Sequence, residues 1–251
     1  MHLAPLRPLT PMCALLLAAA LLPGCLTSGV YRTARTLDPG AFDMALSMSA
    51  TRYETPSVTV TNPDGSIDTS GGEATFLPNI FPEVSIHVGA DDDLEVGGRF
   101  GFGSMMAELD AKYRFFHEGN LHLALAPAVA YRALLLYEGP SVTLPLIATF
   151  DLNDHLAINL APYVGWSDLS IAGNETNTDL RGMEGNLMTT GASAGIELRA
   201  GGLHVMPSVD WLQTVWQNTQ TGDTSEDSFL ILTVTVGYGG GGRPHDRATE
   251  E

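Results

Sequence analysis

The chain has 251 residues, with 12 Lys and Arg against 29 Asp and Glu and a formal charge of −17 at pH 7. So acidic a chain excludes nucleic acid as a partner and argues against general attraction to anionic phospholipid. Yet 44% of its residues are hydrophobic and 27 are glycine, and the order of those residues says why.

Residues 1–24 read as a lipoprotein signal peptide. Arg7 supplies a basic start, and Met12–Leu22 (MCALLLAAALL) forms an apolar core too short to span a bilayer stably. It ends in Leu-Pro-Gly-Cys at Cys25, the pattern in which the thiol is acylated and the chain is cut before it. Pro23 stands where a small or β-branched residue is usual. On this reading the mature protein begins at Cys25, carries diacylglycerol and an N-acyl chain such as palmitate there, and needs no other cofactor. Cys13 leaves with the signal, so no disulfide framework, thiolate metal site or cysteine nucleophile is expected.

Residues 25–40 show neither helical nor strand period and read as a short periplasmic linker. From 41 to 239 the chain alternates apolar and polar residues with period two, the pattern of strands whose two faces meet different surroundings. The first segment, Ala41–Tyr53, sets Phe42, Met44, Leu46 and Met48 against Asp43, Ser47 and Thr51. A long polar loop to Phe81 follows. The second to fourth segments are Pro82–Ala90, Leu94–Gly103 and Met105–Phe116, joined by short links. The fifth is Leu121–Leu134, with alanines, His122 and Arg132 on its polar face. Then come Ser141–Leu152, His155–Leu169, Leu187–Ala200, Leu203–Gln217 and Ser228–Tyr238, the last two joined by a polar loop over Asn218–Asp227. Residues 240–251 read as a flexible tail.

These ten segments predict an all-β fold: one antiparallel up-and-down transmembrane barrel over 41–239. A soluble barrel would turn a Lys- and Glu-rich face outward, whereas the mature chain has a single lysine, Lys112. Short links alternate with long polar ones, as in outer-membrane barrels, which places both termini in the periplasm. Phe42, Tyr113, Phe115, Phe150 and Tyr238 fall near the periplasmic strand ends. Phe100, Phe102, Tyr131, Trp166 and Trp211 fall near the other ends, giving the two aromatic girdles a bilayer favours.

The segments TLDPGAFDMALSMS, PEVSIHVGADDDLEVGGRFGFG and LAINLAPYVGW resemble those of bacterial outer-membrane β-barrel proteins. The resemblance covers nearly all the mature chain and implies a Gram-negative outer-membrane location and assembly by the barrel-inserting and lipoprotein-processing machineries. The chain departs from many such barrels in running on after Tyr238.

The polar face carries the functional candidates. Glu83, His87, Glu95, Arg99, Glu108, Asp110, Lys112 and Arg114 come from three consecutive strands. Arg132, Glu197 and Arg199 join them in a lumen narrow enough for these groups to fill it with ion pairs. The alternative is a small polar channel. His87, His122, His155 and His204 are expected inward at the periplasmic end, but on mostly non-adjacent strands, so no metal site is expected. No Ser–His–Asp spacing marks an enzyme. Outer-membrane lipid and lipopolysaccharide are the expected surroundings. The functional reading is a structural or small-solute permeability barrel, the alternative a lipid-anchored periplasmic barrel with its apolar face inward around a hydrophobic ligand.

Overall fold

The computed structural model describes residues 29–239, apart from 55–57, 62–66, 71–73, 80, 103–104, 134–136, 172–183 and 220. The stretches expected as signal peptide and tail, and Cys25, lie outside the described residues. The strands are β1 (Phe42–Glu54), β2 (Val58–Thr61), β3 (Ile67–Ser70), β4 (Ala74–Pro78), β5 (Glu83–Asp91), β6 (Leu94–Gly101) and β7 (Met106–Glu118). They continue as β8 (Leu121–Leu125), β9 (Ala128–Ala133), β10 (Tyr137–Asn153), β11 (Leu156–Ile171), β12 (Gly185–Ala200), β13 (Leu203–Asn218) and β14 (Thr224–Gly239).

Ten antiparallel staves close on themselves: β1, β5, β6, β7, β8 with β9, and β10 to β14, with β14 returning to β1 from Asp43↔Gly239 to Arg52↔Leu230. Closure leaves no free sheet edge, which a chain surrounded by hydrocarbon requires. The fifth stave is interrupted at 126–127 because Pro127 has no N–H to give the ladder. Ala126 N donates to Pro145 O and Pro127 O accepts from Ala111 N, so both neighbours stay attached across the break.

Two stretches expected as loops contain strand. Within 54–81, β2 pairs β3, and β4 lies along the upper half of β1, with Ala50 opposite Pro78. There β5 has already ended, at Ser47↔Glu83, and β4 satisfies the backbone groups β1 would leave open. Likewise β14 begins at Thr224, four residues before its expected start, and stays paired with β13 to Gln217↔Thr224. Thr224–Ser228 are exposed on both faces, so the ladder holds them without burial and no alternation marks them.

The faces divide as the period predicts. Leu46, Leu144, Leu160, Val164 and Val234 lie exposed on the outside, while Ser47, Thr149, Asn159, Ser193 and Thr235 are buried inside. All ten girdle aromatics are outward and exposed. This inverts a soluble barrel and excludes the arrangement with an apolar interior around a hydrophobic ligand. We call the end bearing the short connections at 92–93, 119–120, 154–155 and 201–202 the turn end, and the other the loop end. His155, expected inward, sits in one of these turns and is exposed.

Candidate functional site: a lumen filled by the chain's own segment

The stretch 29–40, expected as a linker, runs up inside the barrel. Its entry is a reverse turn over Asp38-Pro39-Gly40-Ala41, in which Ala41 N donates to Asp38 O at 2.9 Å. Gly40 takes φ +80° there, the conformation a type II turn needs at its third residue, after a proline that fixes the second. The turned chain docks on the wall at Gly89: Gly40 N donates to Gly89 O at 2.8 Å and Gly89 N to Ala41 O at 2.9 Å. A Cβ at Gly89 would come within 2.2 Å of Asp38 O, so only glycine lets the two backbones meet.

From the turn end upward, Thr36 Oγ1 donates to Asp92 O at 2.6 Å. Arg35 pairs with Asp151 at 2.7 Å and also with Glu197. Ala34 is fully buried against Ala124, Ala126, Ile147 and Ala161, and its N–H donates to Thr149 Oγ1 at 2.7 Å. Lys112 Nζ donates to the carbonyls of Thr33 and Arg35, at 3.1 and 2.6 Å, while pairing with Glu95 at 2.9 Å. Arg32 reaches Asp110 at 2.6 Å and Glu95 at 3.6 Å. The Arg99 guanidinium stacks 5.5 Å from the Tyr31 ring centre and donates to Gly29 O at 3.0 Å. Val30 packs against Tyr163, Leu212 and Ile231, Leu212 being the inward neighbour of Trp211 in the loop-end girdle. Residues 29–36 thus climb from the turn end to the level of the loop-end interface.

The wall groups form two clusters. In the first, Arg99 bridges Glu83 at 3.4 Å and Glu108 at 3.0 Å, and His87 Nε2 donates to the second oxygen of Asp110 at 3.1 Å. In the second, Arg199 pairs with Asp151 at 2.9 Å and Glu197 at 3.5 Å, and His122 Nε2 meets Asp151 at 3.0 Å. Arg132 is buried higher in the lumen.

Arg114 departs from its expected place. The ladder slips at Arg114/Phe116, and Arg114 turns to the turn-end rim, pairing with Asp93 at 2.7 Å. The expected site did not include Arg32, Arg35, Asp151 or Asp210. The signals for the first two are present in the sequence: a Pro-Gly turn just before the first strand, two arginines three residues apart, and a fifth strand whose inner face is alanine and so leaves room. The histidines do not converge. His87, His122 and His204 each face a different carboxylate, with His204 3.6 Å from Asp43, and His117 stacks on His122. Among the described residues no group of three His, Cys, Asp or Glu could hold a metal ion.

Charge explains the arrangement. Asp43, Glu83, Glu95, Glu108, Asp110, Asp151, Glu197 and Asp210 face inward from the wall, against Arg99, Lys112, Arg132 and Arg199. Confined carboxylates in such excess are costly without counter-charge, and the inner segment brings Arg32 and Arg35 to them. Beside the segment a cavity of about 430 Å³ remains, lined at the turn end by Asp43, His155, Gly201 and His204.

No protein-family model matches the sequence, and no curated protein matches it. Among solved structures the chain is similar to the COG4313 outer-membrane channel from Pseudomonas putida F1. That match has 11% identity and a TM-score of 0.45, over 84% of this chain and 100% of that one. It is also similar to Neisserial surface protein A, with 10% identity, a TM-score of 0.36 and coverage of 78% and 96%. A third is the outer-membrane protease OmpT from Escherichia coli, with 9% identity, a TM-score of 0.36 and coverage of 81% and 97%. The first and third are outer-membrane proteins by name and the second a surface protein; this chain is a closed antiparallel barrel of ten staves.

Proposed function

We propose that the protein is an outer-membrane β-barrel lipoprotein that rests closed, with a small-solute passage opened when its N-terminal segment leaves the lumen. One observation carries the reading. Arg32 and Arg35 of a segment held in the lumen mainly by side-chain contacts supply the counter-charge for the carboxylates that line it. Apart from the Pro39–Gly89 bridge and its neighbouring bonds, the segment takes no part in the ladder. Its departure would leave the ten staves paired and the wall strongly negative. An outward apolar surface between two aromatic girdles supports a bilayer location, and the acidic lumen supports cation preference once open.

The lipoprotein assignment rests on Leu-Pro-Gly-Cys at Cys25. Outer-membrane lipid, lipopolysaccharide and the two assembly machineries are the partners that follow from it. Planar-bilayer recording tests the closed state: wild-type protein should be nearly silent, and Arg32→Gln/Arg35→Gln protein should give steady, cation-selective current. An open wild-type pore, or a folded double variant that stays silent, would overturn the reading.

A further inference from the structure

The wall around residues 31–37 does more than balance charge; it reads an extended peptide. Two acidic clusters, Glu95 with Asp110 and Asp151 with Glu197, each take one arginine. Between them Thr149 Oγ1 accepts the N–H of Ala34, and Lys112 donates to the carbonyls on either side of it. Thr149 is held for this task, because its own hydroxyl donates to Asn159 Oδ1 at 2.6 Å. Ala124, Ala126, Ile147 and Ala161 on the facing staves set a close steric limit at Ala34, one of the two residues between the arginines. Backbone donors and acceptors, two charged subsites and a steric limit together are the elements of a peptide-binding groove.

We propose that the lumen is a binding site for extended peptides bearing two arginines three residues apart, and that the chain's own residues 31–37 occupy it as a tethered competitor. This rests on the reading of the segment as displaceable. A basic peptide entering at the turn end would replace Arg32 and Arg35 on the same carboxylates, so opening and ligand capture would be one event.

The test uses full-length Arg32→Gln/Arg35→Gln protein, with folding checked by heat-modifiable gel mobility. It is titrated in detergent with a fluorescent YRTARTL peptide and with the same peptide carrying glutamine for both arginines. The arginine peptide should bind at least tenfold tighter than the glutamine peptide, and wild-type protein should bind neither appreciably. Adding Glu95→Gln and Glu197→Gln should weaken binding at least tenfold. Spermidine should compete at least tenfold less well than unlabelled peptide, since it lacks the backbone Thr149 and Lys112 address. If the double variant does not fold, Gly89→Val, which evicts the root of the segment and keeps both arginines, replaces it. Equal binding of the two peptides, equal competition by spermidine, or no binding to a folded variant would overturn the site. A variant that binds peptide but passes no current would overturn the passage reading alone.

Discussion

Arg32 Nη1 lies 2.6 Å from Asp110 Oδ1, while the other oxygen of the same carboxylate takes His87 Nε2 at 3.1 Å. One wall residue therefore holds both the inner segment and a neighbouring stave. Removing one member of a buried pair costs about 3 kcal/mol or more, because the partner is left uncompensated. Asp110→Ala should lower occupancy of the lumen by the segment roughly a hundredfold. Trypsin reports it: Arg32 and Arg35, protected in the folded wild type, should become cleavable while the barrel keeps its folded gel mobility. Continued protection would show that Asp110 does not hold the segment.

Gly89 tests the same contact sterically. A Cβ there would overlap Asp38 O at 2.2 Å and Leu37 O at 2.6 Å, both backbone atoms that cannot rotate away. Gly89→Ala should expose the two arginines to trypsin about as much as Asp110→Ala does. Gly40→Ala, which forces a side chain into φ +80°, should act more weakly, at a cost of about 1 kcal/mol. If Gly40→Ala proved the stronger of the two, the turn and not the wall contact would be what positions the segment.

The outward face makes a separate prediction. Leu160 lies between the two girdles on the apolar exterior of β11, exposed by 53%. Leu160→Arg should destabilise the folded barrel in lipid vesicles by about 2–4 kcal/mol, read from urea refolding. Met188→Arg, one strand over and opposite Trp166 of the loop-end girdle, should cost less. Equal and negligible costs would mean that no bilayer surrounds this face.

Asp210 is fully buried, and neither carboxylate oxygen has a hydrogen-bond partner among the described residues. It adds an acid to a lumen already rich in them. Asp210→Leu, which removes the charge and both unpartnered oxygens, should therefore stabilise the barrel by about 1–3 kcal/mol, the scale of an unsatisfied buried group, in the same urea assay. Destabilisation instead would show that the carboxylate serves a bound cation.

Strand number, facing and girdles were legible because each depends on a local rule, side chains alternating at period two, that holds along the whole of β11 or β12. Leu156 through Trp166 alternates without a slip, and the structure follows it. At the end of β7, where the ladder slips beside Arg114/Phe116, the reading of the rim fails, because Arg114 meets Asp93 of the neighbouring turn, a contact that alternation along one strand does not reveal. The ion pairs of the wall could be anticipated from face alone; their partners in residues 29–36 could not. A segment without secondary structure carries no period, so Arg32 and Arg35 look like any solvated linker charges. Only long-range geometry, bringing Arg35 to Glu197 across 162 positions of sequence, assigns them a place. The same holds for β4 and the outer half of β14, where backbone pairing rather than burial fixes the strand.

The direction in which residues 29–36 climb bears on how the protein is put together. Cys25 lies four residues from Gly29, a reach of about 14 Å at full extension. From the Trp211 girdle down to the turn end at Leu203 is about 26 Å along the stave, or roughly 20 Å along the barrel axis. An acyl chain on Cys25 therefore cannot rest in the turn-end leaflet while Val30 remains against Leu212. If Cys25 is acylated, seating of its lipid in that leaflet is therefore coupled to departure of the segment from the lumen. Cys25→Ala protein should then keep residues 29–36 in the lumen more fully than acylated protein, read as a larger cross-linked fraction of the Ala34→Cys/Ala126→Cys variant and slower tryptic cleavage at Arg32 and Arg35.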